Sequence, residues 1–99
     1  MAKYRIGIDK DLQDIVPGYL DNRRRELPEL FTFLAGGNLE QLKKAGHRLA
    51  GSGGGYGFDR ISELGKQLEA QALAGDTAGV AALLEELKDY VENLDIVYE

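Results

Sequence analysis

His47 is the only histidine of the chain, and it stands just before the glycine-rich run Gly51-Ser52-Gly53-Gly54-Gly55-Tyr56-Gly57, with Lys43, Lys44 and Arg48 beside it. A neutral imidazole can act as a nucleophile or move a proton near neutral pH, and cations around it favour chemistry with an anion. Six of the 13 glycines fall between residues 46 and 57, which raises the question of a phosphate-cradling loop. The templates do not fit. Gly46-His47-Arg48-Leu49-Ala50-Gly51-Ser52 has the glycine spacing of a nucleotide loop without its lysine, no register supplies G-x-G-x-x-G, and no strand pattern precedes either. Cysteine is absent, so neither a disulfide framework nor a cysteine-based metal site can form; no metal site and no cofactor are expected.

The elements that carry these residues are read from apolar spacing. Apolar residues recur every three and four positions with no β pattern of any length, which predicts an all-α chain. The first stripe, Leu12, Ile15, Val16, Tyr19, Leu20, Leu27, Leu30, Phe31 and Leu34, marks a helical segment over about 9–35 with Asp9 as N-cap and Gly36-Gly37 as the stop. Pro17 removes an amide donor and predicts a break or kink near it, whereas Pro28 leaves the choice between a second bend and none open. Asn38 caps a second helix, 38–56, with Leu39, Leu42, Gly46, Leu49, Gly53 and Tyr56 inward and Gly57 as its C-cap. Asp59 caps a third, 59–74, with Phe58, Ile61, Leu64, Leu68 and Ala72 inward and Gly75 closing it. Asp76 caps a fourth, 76–97, burying Val80, Leu83, Leu84, Leu87, Val91 and Leu94. Connections this short favour antiparallel neighbours, so residues 1–99 read as one domain: an antiparallel up-down four-helix bundle with residues 1–8 as a short N-terminal extension.

A flexible loop competes with the helix over the glycine run, because each interior glycine costs about 1 kcal/mol relative to alanine. The stripe through Gly46, Leu49, Gly53 and Tyr56 nevertheless keeps helical phase. The run therefore reads as a helix whose outer surface is bare. On it Lys43 and Lys44 lie one turn before His47, Ala50 and Gly51 one turn after and Gly54 a turn further on, so that a partner's backbone could approach the imidazole.

A formal net charge of -5 argues against broad nucleic-acid binding, which needs an excess of Lys and Arg. Arg23-Arg24-Arg25 and the group of Lys43, Lys44 and Arg48 form local positive patches suited to an acidic partner. No stretch approaches about 18 apolar residues, and the opening lacks a signal-peptide core, so a cytoplasmic monomer without membrane contact is expected. Met1 and the compact end at Glu99 point to a free-standing chain.

His47, Leu49, Gly51, Ser52, Gly57 and, a helix later, Leu68-Glu69 form a pattern that resembles the histidine-containing phosphotransfer (HPt) domains of two-component phosphorelays. Ala50 departs from it, since most members carry a lysine there. The resemblance implies that His47 accepts a phosphoryl group from a receiver aspartate or a histidine kinase and passes it to a response-regulator receiver domain. It implies a carrier rather than an enzyme, with catalysis and Mg²⁺ supplied by the partner. Gly51 would clear space for the receiver, with Ala50, Gly54, Arg23 and Arg24 extending the docking surface. Glu69 would accept a hydrogen bond from the imidazole, fixing its orientation. With Ala50 unable to balance the phosphoryl charge, Lys44, Lys66, Arg48 or Lys43 would take that role. Two alternatives stay open: a non-covalent helical adaptor, or a degenerate HPt domain, that binds a receiver-like partner without transfer. A small enzyme using His47 and Glu69 as a dyad lacks a separate nucleophile.

Overall fold

A computed structural model describes residues 3–99; residues 1 and 2 of the expected extension lie outside it. The chain runs β1 (Tyr4–Ile8), a 3₁₀ turn (Lys10–Leu12), α1 (Val16–Ala35), α2 (Leu39–Ser52), a second 3₁₀ turn (Gly54–Tyr56), α3 (Asp59–Ala74), α4 (Thr77–Glu92) and β2 (Leu94–Tyr98). Helix contacts run α1–α2, α2–α3, α3–α4 and α4–α1, closing a four-helix bundle. Each helix turns one apolar stripe inward: Leu20, Leu27 and Leu30 from α1, Leu42 and Leu49 from α2, Ile61, Leu64 and Leu68 from α3, and Val80, Leu84 and Leu87 from α4 are all buried. None of the 18-residue windows in its helices is apolar enough to cross a membrane, among the described residues.

Local chemistry explains most boundaries. The Asn38 side chain accepts from the Gln41 amide and the Asp76 side chain from that of Gly79, so each cap satisfies a donor that the helix leaves orphaned. Gly37 and Gly75 follow α1 and α3 at φ 70 and 75, a left-handed conformation that stops a helix.

Several boundaries differ from the sequence pattern. The segment 9–35 is two pieces: Asp9 caps only the first 3₁₀ turn, through the Asp11 amide at 2.9 Å, and α1 begins at Val16. Pro17 sits in the first turn of α1, where its missing N–H would have no partner anyway. Pro28 lies inside α1 without ending it, and the Thr32 hydroxyl donates to its carbonyl at 2.9 Å. The second helix stops at Ser52 rather than 56. Gly53-Gly54-Gly55 favour a tighter turn, the Gly54 amide donates to Ser62 Oγ at 2.8 Å, and Gly57 at φ 91 caps that 3₁₀ turn instead of the helix. Phe58, not Asp59, is the N-cap of α3; Asp59 is its first helical residue, where its charge still complements the helix dipole.

The largest difference is a sheet. The fourth helix ends at Glu92 rather than 97, and Leu94–Tyr98 pairs in parallel with Tyr4–Ile8, Tyr4 opposite Leu94 and Ile8 opposite Tyr98. Both five-residue runs mix β-branched and aromatic residues with polar ones, which suits a half-covered ribbon. The expected plain extension is therefore a strand. Tyr4 donates to Asp89 Oδ2 at 2.6 Å and Lys3 to Oδ1 at 2.8 Å, pinning the ribbon to α4, while these two donors hold the Asp89 carboxyl below its ordinary range. Ile8, 1% exposed, reaches back over Gly57.

Candidate functional site

α2 and α3 are the most intimately packed pair of helices, because glycine faces backbone along their line of contact. Gly53 meets Phe58, Ile61 and Ser62 at one end, and Gly46 meets Gly65 and Glu69 at the other. His47, next to Gly46, projects outward with its side chain 78% exposed, and its Nδ1 lies 3.1 Å from Oε2 of Glu69 on α3. An ionised carboxylate can only accept, so in a neutral ring this bond would be donated by an Nδ1–H and would leave the Nε2 lone pair free.

Around the imidazole, Glu40, Lys43, Lys44, Arg48 and Glu69 line an open depression of about 510 Å³. Lys43 is paired with Glu40 at 3.5 Å, whereas Lys44 and Arg48 have no ion-pair partner among the described residues. Arg48 also feels Glu26 of α1. Burial pushes the Glu26 carboxyl above its ordinary range, opposed by the positive charges of Arg23 and Arg48.

The remaining residues singled out by sequence spread over the surface. Lys66 is exposed on α3 but does not line the depression. Gly51 is exposed with open space beyond it, Gly54 is exposed, and Ala50 is half-buried, so the bare face next to His47 is present. The arginine run divides. Arg23 lies over the Tyr19 ring at 4.8 Å and 3.1 Å from Glu26, without the alignment of a hydrogen bond, so it is engaged within the fold. Arg24 turns toward α4, donating to the Val91 carbonyl at 3.2 Å, and reaches Asp21 at 3.7 Å.

Three contributors escape a reading of the sequence. Glu40 lies two turns before His47 on the same face, a spacing that could have revealed it. Gly65 sits in the interior of α3, where an unexplained glycine is itself a signal of close approach. Tyr19 stacks on Tyr56 at 4.1 Å and shares a hydrogen bond with Ser52 at 2.9 Å, tying α1 to the end of α2; nothing in local spacing marks that contact.

The site is thus a histidine exposed on a bundle face, within hydrogen-bond distance of one carboxylate and flanked by three cations and a second carboxylate. The family model of the Hpt domain matches residues 11–96, and the chain belongs to that family. Its members are carriers rather than enzymes, have a role in phosphotransfer within two-component signalling, and interact with receiver domains and kinases. No curated protein and no solved structure matches the chain.

Proposed function

We propose that His47 is the phosphoacceptor, taking a phosphoryl group from a receiver aspartyl phosphate or a kinase and passing it to a second receiver. The observation that carries this reading is the 3.1 Å contact between His47 Nδ1 and Glu69 on an otherwise exposed ring. In the forward step the Nε2 lone pair attacks phosphorus, the bond between phosphorus and the donor oxygen breaks, and that oxygen leaves with the electron pair. The ring then carries positive charge with its proton on Nδ1, and the Glu69 carboxylate stabilises it. The second transfer reverses these events on a new aspartate. The receiver brings the divalent cation that its own aspartate requires, and the carrier contributes positioning and charge balance.

Ala50 cannot supply the cation usual at its position. A phosphoryl group adds roughly -1.5 to -2 charge, and Lys44 and Arg48, which line the depression without an ion-pair partner among the described residues, would offset it. The exposed Gly51 and Gly54 let a receiver loop come close to the ring. The test is covalent labelling: incubation with phosphorylated receiver domains should give an acid-labile phosphoryl group on the wild-type protein and none on His47→Gln. Absence of label with every receiver, despite binding, would favour the non-covalent adaptor.

A further inference from the structure

Two glycines, one on each helix, stand at the contact of α2 with α3 beside His47 and Glu69. A Cβ at Gly46 would stand 2.6 Å from the backbone nitrogen of Glu69, 2.7 Å from the carbonyl oxygen of Gly65 and 3.1 Å from the Cα of Glu69. A Cβ at Gly65 would stand 2.7 Å from the carbonyl oxygen of Gly46 and 2.8 Å from the Cβ of Leu49, and would press on the Ala50 amide nitrogen. All of these neighbours are backbone or Cβ atoms, with no flexible tail to swing aside. Neither glycine has a positive φ, so backbone conformation does not call for glycine at these positions. Each still carries the helix-interior cost of about 1 kcal/mol relative to alanine. What requires them is proximity.

Gly46 immediately precedes His47, and two of the three atoms it faces belong to Glu69 itself. One contact therefore locates both ends of the imidazole–carboxylate bond. We propose that Gly46 and Gly65 are positioning residues for His47: by letting α2 and α3 touch backbone to backbone, they keep Glu69 near enough to hold the ring in the Nδ1–H tautomer. The importance of that tautomer for transfer rests on the reading of His47 as phosphoacceptor, but the tautomer can be measured without any transfer.

Bringing a new Cβ to ordinary contact requires α3 to retreat by roughly 1 Å. From 3.1 Å that carries the His47–Glu69 pair beyond hydrogen-bond range unless the Glu69 side chain leaves its rotamer. The ratio of Nδ1–H to Nε2–H tautomers in the neutral ring should then fall roughly three- to tenfold.

Two-bond ¹H–¹⁵N correlation spectra of the ¹⁵N-labelled protein, at a pH where the ring is neutral, read this ratio directly. Gly46→Ala and Gly65→Ala should lower it. Gly53→Ala is the control: its Cβ would be as crowded, 2.8 Å from Ile61 Cβ, Phe58 O and Ser62 N, but at the far end of the seam from Glu69. It should reduce stability and leave the ratio unchanged. An unchanged ratio in Gly46→Ala and Gly65→Ala, or the same drop in all three variants, overturns the proposal. If the glycine variants do not fold, Glu69→Asp draws the carboxylate back by one methylene with the seam intact; a comparable drop supports distance control, and no drop overturns it. Failure of His47 to accept phosphate while the wild-type ring is in the Nδ1–H form would sink the phosphoacceptor reading and leave this one standing.

Discussion

Gly57→Ala carries two separable penalties, because this residue is where the ribbon, the glycine run and the start of α3 converge. At φ 91 and ψ 6 an L side chain crowds its own backbone, costing about 1–2 kcal/mol. The added Cβ would also stand 2.5 Å from Cδ1 of Ile8, a side chain 1% exposed that has little room to yield. Overpacking of that kind costs about 1–3 kcal/mol, here toward the low end because Cδ1 is the tip of the chain. Together they predict a loss of about 2–3 kcal/mol and a Tm lower by about 10–20 °C. Ile8→Val deletes Cδ1 alone and should cost about 0.5–1.5 kcal/mol. In the double variant the collision is gone, so its loss should fall short of the sum of the singles by about 1 kcal/mol. Urea unfolding of the four proteins, followed by far-ultraviolet circular dichroism, measures each term. Additivity within about 0.3–0.5 kcal/mol would refute the Ile8 contact, and a loss below about 0.5 kcal/mol for Gly57→Ala would refute both penalties.

Lys44→Ala should slow transfer or shorten the phosphohistidine lifetime roughly two- to fivefold, and Lys66→Ala, outside the depression, should change either by less than about twofold; equal effects in time-resolved label transfer would remove Lys44 from the site. Glu26 offers a test of sign. Its folded carboxyl holds the proton to higher pH than the unfolded chain does, so wild-type stability falls as pH rises from the ordinary value of 4.5 through the raised one. Glu26→Gln abolishes that fall, and its stability relative to wild type should be greater at pH 7 than at pH 4; the opposite trend in urea midpoints would mean that Arg23 and Arg48 outweigh burial.

Helices were legible because their signals are local. The stripe Leu42, Gly46, Leu49 and Gly53 and the caps Asn38 and Asp76 sit within a few residues of what they organise. The ribbon was not, because each strand is a five-residue run whose partner lies at the other end of the chain, and Leu94 continues the helical phase of Val91. Arg23 to Arg25 read as one basic patch, yet successive residues on a helix point about 100° apart, and Arg23 and Arg24 face Tyr19 and α4 respectively. Glu69 entered through family resemblance rather than spacing. Its meeting with His47 depends on how deeply two helices interpenetrate, a quantity that Gly46 and Gly65 encode only once it is known that they face each other.

The parallel ribbon joins Tyr4 to Leu94 and Ile8 to Tyr98, and so closes a loop containing nearly the whole chain. The entropy of such a closure is recovered only after the intervening helices have drawn their ends together, whereas α2 and α3 are neighbours in sequence and need close only a short turn. Loop-closure entropy therefore predicts an order of assembly, in which the pair that carries His47 and Glu69 forms early and the clasp zips late, as a lock on a bundle already made. Damage to the clasp should accordingly show itself in how fast the molecule comes apart more than in how fast its site is built.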